Sequence, residues 1–149
     1  MTAPGTASTE ADRALLAAAA EAAERAYAPY SRLSVGAAVQ TATGEIVTGC
    51  NVENASYGLT CCAERNAVFA AVARFGPDVR IARVGVVAHR ADGSLLPVTP
   101  CGACRQVIGE LATATCEIVY LAATGPARRH LADLLPEAFG AELRADAVQ

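Results

Sequence analysis

Ile81-Ala82-Arg83-Val84-Gly85-Val86-Val87-Ala88 is the stretch on which the fold turns. It is short, apolar and bounded by polar residues, which suits a strand. Its run of Val84, Val86 and Val87 puts apolar side chains on both faces of that strand. Burial on both faces belongs to a strand inside a sheet that helices cover from two sides.

Helical patterns flank it. Upstream, Cys62 to Phe75 predicts a helix, with Ala67, Val68, Ala71 and Val72 at apolar spacing and Gly76-Pro77 as its stop. Downstream, Asp92-Gly93 marks a turn, and Cys101 to Leu111 predicts a helix opened by Pro100. Glu117 to Ala122 reads as a strand and His130 to Leu135 as a short last helix. Near the start, Thr9 caps a helix from about Glu10 to Ala26, with Asp12 in its first turn. Its expected buried stripe is Ala11, Leu15, Ala18 and Ala22, and Pro29 closes it. Val35 to Val39 and Glu45 to Cys50 read as a hairpin turning at Thr43-Gly44, and Asn51 to Thr60 as a polar functional loop. The order α-β-β-α-β-α-β-α predicts a three-layer α/β domain with a mixed sheet. No repeat or linker is visible, so residues 9 to 149 are expected to form one domain behind a loose tail of residues 1 to 8.

The 149 residues are 53% hydrophobic and 18% charged, enough apolar material for one core and too little charge for a disordered chain. Net charge is −3, and the nearest approach to a basic cluster is Arg128-Arg129. Nucleic-acid binding shows as clustered Lys and Arg, so a small-molecule partner is expected instead. No apolar run approaches the ~20 residues of a membrane span. Met1 to Thr9 lack the pattern of a secretory signal, which points to the cytoplasm. In a reducing compartment, clustered cysteines serve as metal ligands or buried thiols more often than as disulfides.

Cys62-Ala63-Glu64 and Pro100-Cys101-Gly102-Ala103-Cys104 carry the chemistry. Cys101 and Cys104 are three apart at a helix start, which puts both sulfurs on one face. The amides of a helix N-terminus stabilise thiolates. Cys62 also opens a predicted helix, so two converging helix starts would present three sulfurs to one ion. Three thiolates leave one tetrahedral position open, the arrangement of a catalytic zinc with a bound water. Glu64 sits close enough to take a proton from that water and pass it to a ring nitrogen and a leaving amine. A ligand followed by x-Glu and then Pro-Cys-x-x-Cys is the general signature of zinc deaminases, here in its three-cysteine form. Three thiolates also over-neutralise a divalent ion, so a nearby cation is expected, with Arg65 and Arg105 as candidates.

Each part has a bland reading. A lone C-x-x-C fits a redox pair or half of a structural site. Glu64 fits a first-turn helix acid, and the two arginines fit surface charge. A structural site would need a fourth ligand. Cys61 adjoins Cys62 and should point elsewhere, Cys50 and Cys116 lie in predicted strands, and His89 and His130 are isolated. The combination is far more specific than any part.

With these motifs the chain resembles the small homotetrameric cytidine deaminases. The resemblance runs from about Tyr27 to Leu143. It includes Tyr30-Ser31, Val35-Gly36-Ala37-Ala38, Asn51-Val52-Glu53-Asn54, Cys62-Ala63-Glu64-Arg65, Cys101 through Gln106, and Leu134 through Gly140. It implies a three-layer α/β/α fold with a mixed five-stranded sheet. It implies hydrolysis of cytidine or 2′-deoxycytidine to uridine or 2′-deoxyuridine and ammonia, with one Zn²⁺ per subunit on Cys62, Cys101 and Cys104, and Glu64 as proton shuttle. By the same resemblance, Asn51 and Glu53 hold the ribose 3′-hydroxyl and the Ala63 amide meets the pyrimidine carbonyl. Tyr57 and Phe139 reach a neighbouring subunit's site in a homotetramer with shared pockets. The bland readings are loop polarity for Asn51 and Glu53, and a core position for Phe139. One position departs: the family pattern Tyr-Ser-x-Phe has Leu33 at its fourth place, where the family's Phe packs on the base. A leucine keeps apolar contact and loses the aromatic face, worth roughly 0.5–1.5 kcal/mol.

Three alternatives stand beside that reading. One is a deaminase of an aminopyrimidine nucleoside antibiotic of the blasticidin S type, for which Leu33 leaves room. A polynucleotide-editing enzyme would need a basic channel. A zinc-stabilised binding module would have no need of Glu64.

Overall fold

The structure is a computed structural model and describes residues 8–140. The expected tail over residues 1 to 8 therefore lies outside it except for Ser8, as does the end of the resemblance at Leu143.

Helix α1 (Glu10–Ala23) is followed by strands β1 (Ser34–Thr41) and β2 (Ile46–Cys50), a single 3₁₀ turn (Tyr57–Leu59) and helix α2 (Ala63–Phe75). Then come β3 (Ile81–His89), a two-residue β4 (Leu95–Leu96), α3 (Gly102–Leu111), β5 (Ala112–Ala122), β6 (Gly125–His130) and α4 (Leu131–Leu134). The sheet runs β2-β1-β3-β5-β6, with β4 pairing β3 off this path. Only β3 and β5 pair in parallel; the other pairings are antiparallel. The mixed sheet is thus the expected five strands plus a short sixth.

Strand β3 divides its side chains between two cores. Val84 and Val86 face α2 and α3, together with Ala37, Val68, Ile108 and Ile118. Val87 faces α1, with Leu15, Leu16, Ala19, Ala38 and Val119. These are the three layers. Two glycines set how closely the helices lie on the sheet. A Cβ on Gly36 would come within 1.9 Å of the Ala19 carbonyl of α1. On the other face, a Cβ on Gly49 would lie 2.7 Å from the Ala63 carbonyl and 2.5 Å from the Ala67 nitrogen of α2. Gly49 therefore lets the first turns of α2 rest on β2.

Several boundaries shift. Helix α1 ends at Ala23, three residues early, because Glu24, Arg25 and Ala26 donate to carbonyls three residues back and tighten the chain before Pro29. Its buried stripe is Leu15, Leu16, Ala19, Ala22 and Ala23; Ala11 is exposed and Ala18 half-buried. Asp12 is not merely a first-turn acid. It is 1% exposed and closes a capping box with Thr9. Strand β6 has no counterpart among the expected elements, and it takes His130 from the last helix. The Arg128-Arg129 pair is part of β6, and Arg128 lies 3.7 Å from Asp12 and 3.8 Å from Glu117. Arg128 is thus drawn into an ion-pair network that also includes Arg83.

Candidate metal centre and active site

Cys62 and Cys101 are the N-cap residues of α2 and α3, both in extended backbone conformation. Neither side chain caps its helix, so both sulfurs are left for other partners. Cys104 lies one turn into α3 and is fully buried. Among the described residues, one group of cysteine, histidine and acidic side chains converges as a metal site does: the sulfurs of Cys62, Cys101 and Cys104 all lie within 4.8 Å of one another. Cys101 Sγ to Cys104 Sγ is 3.4 Å. A zinc–sulfur bond of ~2.3 Å in tetrahedral geometry requires sulfurs about 3.8 Å apart. The donor set and its spacing fit zinc.

Its hydrogen bond to Cys62 and its burial push the Cys104 thiol up, whereas the surroundings of Cys62 favour the thiolate. The Cys62 thiol is pulled down to about 5, first by its hydrogen bond with Cys104 and then by Arg65. Arg65 Nη2 lies 3.6 Å from Cys62 Sγ and donates to the Thr60 carbonyl at 3.1 Å. Of the two arginines expected beside the sulfurs, Arg65 makes that contact. Arg105 is turned away: it donates to the Pro100 and Leu134 carbonyls and to the Thr99 hydroxyl. Its role is to fasten the C-terminal segment to α3, a correction to its expected place beside the metal.

Glu64 is 4% exposed, and burial raises its carboxyl above the usual carboxylate range. The Cys62 charge adds to that rise, while its bond with Cys104 opposes it. A buried carboxyl so placed is suited to exchanging protons with a reacting group. The Ala63 N–H belongs to the first turn of α2, where amides have no intrahelical acceptor. Asn66 fastens the same turn to β2 by donating to the Cys50 carbonyl at 2.8 Å, a contact with no distinctive sequence signal.

The loop is tied to this centre through Thr60, whose carbonyl accepts from Arg65 and which lines a cavity together with Glu53. Asn51 is buried, accepting from the Val35 N–H at 2.8 Å and donating to the Leu33 carbonyl at 2.9 Å. Its two bonds pin the backbone on either side of Ser34, next to the half-buried Leu33. Glu53 accepts from the Tyr30 and Ser31 amides through one oxygen. With Tyr30, Ser31, Tyr57 and Thr60 it lines a cavity of about 360 Å³. The Tyr30 and Tyr57 rings meet edge to face at 5.8 Å. Tyr57 and Phe139 are 75% and 77% exposed, so Phe139 is not the core residue its apolar character alone would suggest.

The family model for the cytidine and deoxycytidylate deaminase zinc-binding region matches residues 9–121. The chain belongs to the cytidine deaminase family. It is 45% identical over 129 residues to the cytidine deaminase of Halalkalibacterium halodurans, covering 86% of this chain and 93% of that one. The crystal structure of cytidine deaminase from Burkholderia pseudomallei superposes with a TM-score of 0.75 at 47% identity, covering 85% of this chain and 98% of its own. The blasticidin-S deaminase of Bacillus cereus is more distant, at 37% identity over 82 residues, or 52% of this chain and 57% of that one. Membership makes the chain a zinc-binding enzyme of the deaminase class, and the Cys62, Cys101 and Cys104 cluster is where its residues can hold the ion. No helix among the described residues is long and apolar enough to cross a membrane.

Proposed function

We propose that the chain hydrolyses cytidine and 2′-deoxycytidine to uridine and 2′-deoxyuridine with release of ammonia. The observation that carries this reading is the convergence of three cysteine sulfurs within 4.8 Å of one another, beside the buried Glu64 carboxyl. Cys62, Cys101 and Cys104 hold one Zn²⁺ per subunit. When bound, such an ion polarises a water and lowers its pKa toward neutrality. The remaining work falls to the chain. Glu64 takes the proton that the attacking water loses as its oxygen joins C4. It delivers that proton to the ring nitrogen, then takes a second from the new C4 hydroxyl and passes it to the exocyclic amine, which leaves as ammonia as the carbon–nitrogen bond breaks and the C4 carbonyl forms. The Ala63 amide donates to the pyrimidine carbonyl, and Leu33 packs on the ring. Asn51 and Glu53 meet the sugar; the second oxygen of Glu53 serves, because the first is held by the Tyr30 and Ser31 amides. Arg65 offsets the excess thiolate charge.

The exposure of Tyr57 and Phe139 supports a homotetramer in which each pocket borrows side chains from a neighbour. The setting is cytoplasmic. Absorbance assays with cytidine, 2′-deoxycytidine, cytosine and blasticidin S, with zinc and molecular size measured on the same sample, test all of this. Cytidine turnover by a zinc-loaded tetramer is expected. Turnover of blasticidin S alone would overturn the substrate, and a fully active monomer would overturn the shared pocket.

A further inference from the structure

Helix α3 is used twice. Its first turn carries Cys101 and Cys104, and the next two residues reach the C-terminal segment. Arg105 Nη1 donates to the Leu134 carbonyl at 2.9 Å, where α4 ends. Gln106 Nε2 donates to the Phe139 carbonyl at 3.0 Å, 33 positions further along the chain. Between these two points Glu137 takes φ 53°, and Gly140, just past the second, takes φ 85°. No helix or strand element fixes Phe139 there. Its ring is nevertheless presented outward, 77% exposed. A side chain with no wall of its own chain around it takes its direction from whatever holds its backbone.

We propose that Gln106 is a positioning residue that aims Phe139 by holding its carbonyl to the helix that carries two of the metal-binding sulfurs. The proposal rests on the reading above that Phe139 completes a neighbouring pocket. Gln106 itself touches no reacting atom. Its effect falls on the affinity for substrate, because Phe139 packs on the bound nucleoside in ground and transition states alike. The link also joins the two contributors to a shared pocket: the same helix sets a sulfur pair at its own site and an aromatic ring at its neighbour's.

The test is a double-mutant cycle on the zinc-loaded enzyme, read as KM and kcat for cytidine, with zinc content and melting temperature confirming each fold. Gln106→Met keeps the length of the side chain and removes the donor; Gln106→Leu serves if that variant is unstable, and Phe139→Leu serves if Phe139→Ala is. Gln106→Met is expected to raise KM about 2- to 10-fold, the size of one hydrogen bond, with kcat changed less than about 2-fold. Phe139→Ala is expected to raise KM by more. Adding Gln106→Met to Phe139→Ala should cost nothing further, since the residue it acts through is gone. A Gln106→Met effect that persists in full without the Phe139 ring overturns the proposal. So does an unchanged KM for Gln106→Met when Phe139→Ala is impaired. An unimpaired Phe139→Ala overturns instead the shared-pocket reading on which the proposal stands.

Discussion

Arg65 Nη2 sits 3.6 Å from Cys62 Sγ across the first turn of α2. The contact places a permanent cation against the thiol that falls to about 5. Three thiolates would bring three negative charges to an ion carrying two positive ones, and a cation at that distance would offset the excess. Replacing Arg65 with Gln should weaken zinc retention or activity about 10- to 100-fold, the usual scale for a residue that supports a metal ligand. Competition with a chromophoric chelator measures this. Unchanged zinc affinity and unchanged rate together would show that the contact is incidental.

Glu64 is assigned proton transfer and not ligation. Glu64→Gln should lower kcat by at least about 10²- to 10⁴-fold, the contribution of a positioned acid–base group. Zinc content should remain at one ion per subunit. Loss of the metal in that variant would move Glu64 from the proton path to the ligand set.

Cys101→Ala removes one of three sulfurs from a site that joins two helix starts. Zinc should be lost on dialysis and the melting temperature should fall, because metal binding there is also folding energy. Full retention of zinc would refute the assignment of Cys101.

On the opposite face of the sheet, Asp12 supplies a pH dependence of stability. Burial alone raises its carboxyl, but the Thr9 backbone and hydroxyl, Arg83 and Arg128 together hold it below the usual aspartate value. A carboxyl lowered in the folded state stabilises fully above the unfolded value of about 4 and loses that contribution as pH falls through the folded one. Urea midpoints should therefore drop below about pH 4. Asp12→Asn should cost roughly 3 kcal/mol at pH 7, since it leaves Arg83 without its buried partner. The variant should also lose part of the acid-dependent fall. An acid limb identical to that of the unchanged protein would remove Asp12 from this role.

How much of this was legible follows from the kind of signal each residue leaves. Strand β3 and helices α2 and α3 announce themselves through apolar period and stop residues, and those signals do not depend on distant contacts. The sulfur site was readable for the same reason: Cys62, Cys101 and Cys104 sit at helix starts, and the fold had only to bring two starts together. Strand β6 was missed because Gly125-Pro126-Ala127-Arg128-Arg129-His130 has neither alternation nor β-branched residues. It forms as an edge strand on β5, and Arg128 finds Asp12 and Glu117 only once the sheet exists. Arg105 was misplaced because adjacency to Cys104 in sequence says nothing of which way a long side chain turns on a helix. Asn51 and Glu53 were legible as polar, yet their bonds to Leu33, Val35, Tyr30 and Ser31 depend on a chain crossing the sequence does not display.

The central claim is that three sulfurs hold the ion and leave its remaining position free beside Glu64. X-ray absorption at the zinc edge of the loaded enzyme measures that ligand set directly. Three sulfurs at ~2.3 Å and one oxygen or nitrogen at about 2.0 Å are expected. Four sulfurs, or two with the balance made up by nitrogen, would contradict it.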